Sequence, residues 1–235
     1  MLAMRLEKIL PRFICSTQTG FIKGRYILEN LITSWEAMDW AKVSGQHATM
    51  FLLDFKKVYD RVEWGFILLM LESFGFPGEF FYYVRVLLQD GSAQIDVNGS
   101  LSPPISLSCS IRQGCPLALA LFVIASDALY YLLRDSSLSP KVNGVRLPDD
   151  NELINIQFAD DTALFVELTK TNIDHLNQKL HLFGSISGAR ISKAKSTFLS
   201  WKEHPPDWFE NFEYQWGGLS KIVRYLGAPF LYPPP

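Results

Sequence analysis

Apolar positions recur along this chain with two different periods, and each change of period marks an element. "ILENLITSWEAMDWAKVSG" sets Ile27, Leu31, Trp35 and Met38 at helical spacing and predicts a helix that stops near Gly45. "MLAMRLEKILPRFI" predicts a shorter helix, broken near Pro11 because proline lacks a backbone donor. "ATMFLLDF", residues 48–55, is a brief apolar run of buried-strand length that carries Asp54. "EWGFILLMLESFGFPG" and "GEFFYYVRVLLQDG" predict two helices joined across Gly75, Pro77 and Gly78. "AQIDVNGSLSPPISLSCS" predicts a hairpin, since Asn98 and Gly99 both tolerate the positive φ of a type I′ turn. "PLALALFVIASDALYYLLRD" predicts a strong helix, with Pro116 in the first turn and Leu117, Leu121, Ile124, Ala128 and Leu132 on one face.

Further on, "LINIQF" alternates, with Ile154, Ile156 and Phe158 on one face and Asn155 and Gln157 on the other. "TALFV" resumes a strand after Asp160 and Asp161, so this acidic pair sits at the turn of an apolar hairpin. "TNIDHLNQKLHLFGSISG" predicts a helix ending at Gly184 or Gly188, and "STFLSW" and "VRYLGAPFLY" are late strands. No internal repeat or low-complexity linker interrupts the order strand, helices, hairpin, helix, hairpin, helix. That order predicts an α+β fold with a largely antiparallel sheet packed on helices.

Composition narrows the class. The 235 residues permit one large domain or two small ones, and 48% apolar residues are ample for a core. A net charge of -2 supplies no global basic field, which argues against holding nucleic acid by bulk charge and leaves a local basic groove open. Cys15, Cys109 and Cys115 are odd in number and lack a Cys-x-x-Cys spacing, so they read as reduced thiols. The charged N-terminus lacks a secretory signal's apolar core, and the longest apolar run, Leu117 to Ala125, falls far short of the roughly 20 residues that span a bilayer. The expectation is a soluble intracellular protein with no membrane partner, in the nucleus or cytoplasm.

Three carboxylates need a counter-charge. If strand 48–54 lies beside the second hairpin, Asp54 ends near Asp160 and Asp161. Two unit charges 4 Å apart repel by about 4 kcal/mol at an effective dielectric of ~20. A proton or a cation must neutralise such a cluster. Oxygen-only ligands favour two Mg²⁺ or Mn²⁺ ions over zinc. The alternative is an ordinary Asp-Asp turn, with Asp54 capping a strand end.

Read together, "FLLDFKKVYDRVEW", "RQGCPL", "FADD", "SGARISKAKS" and "YLGAPF" occur in order, preceded by "QTGFIKGRYILENL". On these segments, which span nearly the whole chain, the sequence resembles the reverse transcriptases of non-LTR (LINE-type) retrotransposons. The resemblance implies a right-hand polymerase palm with partial fingers. It implies transfer of a deoxynucleotide from dNTP to a primer 3′-hydroxyl on an RNA template. Asp54 and Asp160 would be metal ligands, with Asp161 sharing the metal field. Tyr59 would lie against the sugar of the incoming nucleotide. Arg112, Gln113 and Gly114 would contact nucleotide or template. Lys195 would protonate the leaving pyrophosphate, with Lys193 as a substitute. "YLGAPF", residues 225–230, would hold the primer terminus. Asp60 reads as structural, capping a helix near Val62, and Arg25 as a surface residue or a nucleic-acid contact.

Departures from the family pattern are Ala118-Leu119 in place of Ser-Pro, Val58 in place of alanine, and Ser192 in place of asparagine. The expected division is a partial fingers segment at 1–47, a palm at 48–200, and a primer-grip region at 201–235. The end, "LYPPP", is expected to be a cut with the thumb absent. An inactive retroelement relic and a non-catalytic nucleic-acid-binding palm are the alternative functions.

Overall fold

A computed structural model describes residues 2–89, 91–112, 114–137, 140–218 and 221–230. Five strands form the central sheet: β1 Ala48–Leu53, β8 Asn155–Phe158, β9 Asp161–Glu167, β10 Thr197–Leu199 and β11 Gln215–Gly217. Their spatial order is β11-β10-β1-β9-β8. Every neighbouring pair is antiparallel except β10 and β11, which run parallel. The sheet is thus largely antiparallel, as the element order predicts, with one parallel edge it does not foretell.

Both faces of the sheet are covered. Phe51, Leu53, Leu164 and Val166 point into a core shared with the helices α1 Leu2–Phe13, α4 Trp64–Ser73, α6 Ala118–Arg134 and α7 Lys170–Ser187. Met50, Ala163 and Phe165 point the other way, beneath α2 Ile27–Val43. This explains why β1 reads as continuous apolar sequence rather than alternation. Phe51 and its cross-strand partner Phe198 stack with ring centroids 3.8 Å apart.

Smaller elements frame this centre. Between α3 Val58–Arg61 and α6 lie α4, α5 Gly78–Leu88 and an exposed hairpin. The hairpin comprises β2 Ser92–Ala93, β3 Asp96–Val97, β4 Ser100–Leu101 and β5 Ile105–Ser106. Asn98 and Gly99 have φ of 53° and 83°, as the predicted turn requires. A second small hairpin, β6 Val145–Arg146 with β7 Glu152–Leu153, precedes β8. The last, β12 Val223–Tyr225 with β13 Ala228–Phe230, packs beneath α2, where Trp35 stacks on Phe230 at 5.7 Å.

Four sequence expectations are corrected. The first helix is not broken at Pro11 but runs to Phe13, because Leu6 and Leu10 are buried. The backbone bond that proline removes would fall on the carbonyl of Glu7, which is exposed. The faces of "LINIQF" are not apolar and polar: Asn155 and Gln157 are fully buried, Ile156 joins the core beneath α2, and Ile154 joins the other core. Residues 17–19 cover this edge strand, with Thr19 N–H donating to Gln157 C=O (2.9 Å) and Gln157 N–H to Thr17 C=O (2.8 Å). Asp60 does not cap a helix near Val62. It lies inside α3, and α4 begins at Trp64. Arg25 is neither free nor aimed at a ligand: its guanidinium donates to the carbonyls of Pro11, Ile14, Cys15 and Gln18. It closes the C-terminal end of α1, where helix carbonyls lack partners.

Among the described residues, no helix is long and apolar enough to cross a membrane. The loop that Arg25 grips is also tied to α6, where Cys15 N–H donates to the buried carboxylate of Asp127 (3.2 Å). Burial pushes the Asp127 carboxyl up to about 6. A raised carboxyl binds its proton more tightly in the folded chain than in the unfolded one. The stability it contributes is therefore complete below its ordinary 3.8 and lost as the pH rises through about 6. Asp127→Asn should flatten this loss and melt higher than wild type near pH 7, by on the order of 2 kcal/mol. Melts across pH 4–8 check it.

Candidate active site

The site begins with a register. Leu53 pairs with Thr162 across β1 and β9, so the residue that follows β1, Asp54, emerges beside Asp161. Phe158 pairs with Asp161, which leaves Ala159 and Asp160 as the turn between β8 and β9. Asp54 and Asp160 are half-buried and Asp161 is exposed. The carboxyl of Asp161 is raised above its ordinary value by desolvation first, then by the charges of Asp160 and Asp54. The three predicted carboxylates therefore share one electrostatic field. Among the described residues, no group of three or more His, Cys, Asp and Glu side chains is gathered closely enough to hold a metal ion. They form a field, not a finished ligand cage.

Asp54 is held from the "SKAKS" turn. Ser192 N–H donates to the Asp54 carbonyl (2.8 Å), and Asp54 N–H donates to Ser196 Oγ (3.1 Å). Ser196 in turn donates to the Ser192 carbonyl (2.9 Å). The serine found where the family pattern has asparagine thus acts through its backbone, which any residue supplies. Ser196, which the motif reading passes over, therefore ties the Asp54 backbone to this turn.

Tyr59 faces the same carboxylates. Its hydroxyl is pushed up to about 12 by burial and then by Asp160 and Asp161. Its ring packs on Phe122, centroids 4.3 Å apart. Ile111 N–H donates to the Tyr59 carbonyl (2.7 Å), which ties the "RQG" segment to α3. Arg112 and Gly114 are exposed just beyond that tie, and Gln113 lies outside the described residues. Gly114 has φ +85° with open space where a side chain would sit, so backbone conformation is its local requirement.

Lys195 and Lys193 separate clearly. Lys195 is exposed and lines a cleft of about 120 Å³ with Asp54, Asp161, Arg224 and Tyr225. Lys193 instead pairs with Glu213 at 2.8 Å and lines a different groove with Tyr214. The cleft brings the β12–β13 hairpin, carrying most of "YLGAPF", against the aspartates. Arg224, exposed on that hairpin, is a cation the motif reading does not name.

The chain matches the family model described as reverse transcriptase (RNA-dependent DNA polymerase) over residues 1–230. It belongs to that reverse transcriptase family. The reverse transcriptase domain is 26% identical over 232 residues to the transposon TX1 uncharacterized 149 kDa protein of Xenopus laevis. That match covers 97% of this chain and 17% of the relative. It is 29% identical over 189 residues to the retrovirus-related Pol polyprotein of retrotransposable element R2DM from Drosophila melanogaster, covering 76% and 17%. The chain thus spans about a sixth of the length of these relatives. The likeness to non-LTR elements read from the ordered motifs is borne out.

Among solved structures, Candida albicans telomerase superposes with a TM-score of 0.64 at 13% identity, over 97% of this chain and 35% of that one. Candida tropicalis telomerase gives 0.60 at 12%, over 98% and 42%. At such identities the match establishes the fold, a polymerase palm.

The shared field generates a prediction for the metal-free chain. Asp161 is raised, so its ionised form is the disfavoured one in the fold, and the stability it contributes is lost as the pH rises above its ordinary range. In divalent-free buffer near neutral pH, Asp161→Asn should melt at or above the wild-type temperature, and added Mg²⁺ should raise the wild-type melt more than the variant's. A large loss of stability in Asp161→Asn would count against the shared field.

Proposed function

We propose that the chain is the polymerising palm of a non-LTR retrotransposon reverse transcriptase, extending a DNA primer on an RNA template with dNTPs. The observation that carries this reading is the register that sets Asp54 beside Asp160 and Asp161. The donor set fits Mg²⁺ or Mn²⁺: it is oxygen-only, and the charges of Asp160 and Asp54 raise the Asp161 carboxyl, while among the described residues none of the three aspartates is in a salt bridge. Magnesium commonly takes one or two carboxylates and completes its shell with water and substrate phosphates. A field of carboxylates short of a full cage suits that habit.

Asp54 and Asp160 would hold the ions, with Asp161 adding charge. When bound, two such ions activate the primer 3′-hydroxyl and offset charge on the departing pyrophosphate. The chain's own groups do the rest. The Tyr59 ring, packed on Phe122, is the group that would exclude a ribose 2′-hydroxyl from the incoming nucleotide. Lys195, in the cleft with Asp54 and Asp161, is the proton donor to pyrophosphate. Arg112 and Gly114, both exposed, are the contacts to nucleotide and template, with Gln113 assigned the same role from the motif alone. Hairpin β12–β13 steadies the primer terminus.

Primer extension on an RNA template tests the reading. Asp160→Ala should cost several kcal/mol of transition-state stabilisation, about 10³-fold in rate. A folded wild-type chain whose extension is absent, or indifferent to Asp160, would leave the inactive-relic reading instead. Tyr59→Ala should relax sugar selection, raising ribonucleotide use relative to deoxynucleotide by roughly tenfold or more. Competition between dNTP and rNTP in the same assay measures it.

A further inference from the structure

The turn that carries Asp160 is strained. Ala159 has φ +57°, and Asp160 is not in the positive-φ region. A two-residue hairpin turn with a positive φ at its first position favours glycine there. An alanine is disfavoured in that region and persists only where its surroundings hold it.

The hold comes from one distant side chain. Gln18, fully buried, accepts the Ala159 N–H at Oε1 (3.0 Å) and directs Nε2 to the Ala159 carbonyl (3.4 Å). Its amide thus contacts both backbone groups of the strained residue, as a neighbouring strand would. Its remaining capacity is used as well: Oε1 accepts Gly20 N–H (2.9 Å) and Nε2 donates to Ser126 Oγ on α6 (3.3 Å).

Gln18 is itself fixed on every side. Its N–H donates to the Cys15 carbonyl (3.2 Å), and its carbonyl accepts from Arg25. Thr17 and Thr19 flank it and bond to Gln157 of β8. Gly20 lies so close to the turn that a side chain there would meet the Ala159 nitrogen at 2.2 Å. The contact is therefore a packed seam between residues 15–20 and the aspartate turn.

We propose that Gln18 is a positioning residue for catalysis, fixing the height and direction of Asp160 through the backbone of Ala159. The proposal rests on the polymerase reading above. A buried glutamine that served stability alone would lower the melting temperature without separating the kinetic constants or moving the Mg²⁺ requirement. One that places a metal-bearing carboxylate does both.

The test compares wild type, Gln18→Glu and Gln18→Leu in RNA-templated primer extension, with melting temperature and amide hydrogen exchange on the same samples. Gln18→Leu should lower kcat by roughly 10–100-fold, the usual cost of losing a group that orients a ligand. KM for dNTP should stay within about twofold, and half-maximal activity should need more Mg²⁺. The Ala159 amide should lose protection while β9 amides keep theirs. Gln18→Glu keeps the acceptor for Ala159 and Gly20 and should fall between wild type and Gln18→Leu, and it decides by the same criteria if Gln18→Leu does not fold. A folded variant with unchanged kcat and Mg²⁺ requirement, or one altered only in KM, overturns the proposal. Wild type that extends no primer sinks the polymerase reading. Hydrogen exchange then judges the hold alone, and an Ala159 amide equally protected in all three proteins overturns it.

Discussion

The pairing of β1 with β9 is the constraint on which the rest of this structure depends. Leu53 opposite Thr162 sets Asp54 at the same edge of the sheet as Asp160 and Asp161. A slip of one residue would exchange the two faces of β1, sending Phe51 and Met50 into each other's cores and carrying Asp54 away from the turn. The chain guards against this slip by burying both faces. Large rings and aliphatic groups on each side make the register expensive to change, so a charge cluster can stand on apolar supports without pulling them out of line.

The supports around the tip follow a common plan. The backbones of Asp54, the Asp160 turn and Tyr59 are each held by contacts from a segment far away in the sequence. Ser192 and Ser196 hold Asp54, Gln18 holds the turn of Asp160, and the Ile111 amide holds the Tyr59 carbonyl. None of these contacts consumes the side chain that would meet a substrate. The carboxylates and the tyrosine ring are left with their own chemistry, on mounts that fix where they stand. Five segments of the chain, around residues 18, 54–59, 111, 159–161 and 192–196, therefore meet at one edge of the sheet, which is why the site cannot be cut out as a single motif.

Much of this was legible in the sequence, for identifiable reasons. The run "ATMFLLDF" had strand length and carried a carboxylate, Asp54, near its end, and "FADD" interrupted an apolar hairpin, so the aspartates announced themselves by contrast with their flanks. Asn98-Gly99 carried its own turn chemistry. What could not be read was whatever depended on a distant neighbour. Asn155 and Gln157 looked like a solvent face, because nothing in "LINIQF" records that residues 17–19 will cover it. Strand β11 has too little apolar pattern to stand out, and its parallel partner β10 lies across an excursion that includes a 3-10 helix, Asp207–Phe212. Arg25 looked like a surface cation, since its four carbonyl partners become a cluster only after α1 ends where it does. Nothing in "QTGFIKGRYILENL" singles out Gln18, and its partner Ala159 is 141 residues away.

The central claim is that Asp54 and Asp160 together hold divalent ions used in nucleotidyl transfer. It is tested most directly by anomalous diffraction from crystals of the chain grown with Mn²⁺, an RNA–DNA primer-template and a non-hydrolysable dNTP analogue. The account predicts manganese peaks within ligating distance of both Asp54 and Asp160 and of the triphosphate. A triphosphate bound with its manganese elsewhere, leaving Asp54 and Asp160 without an ion, would contradict it.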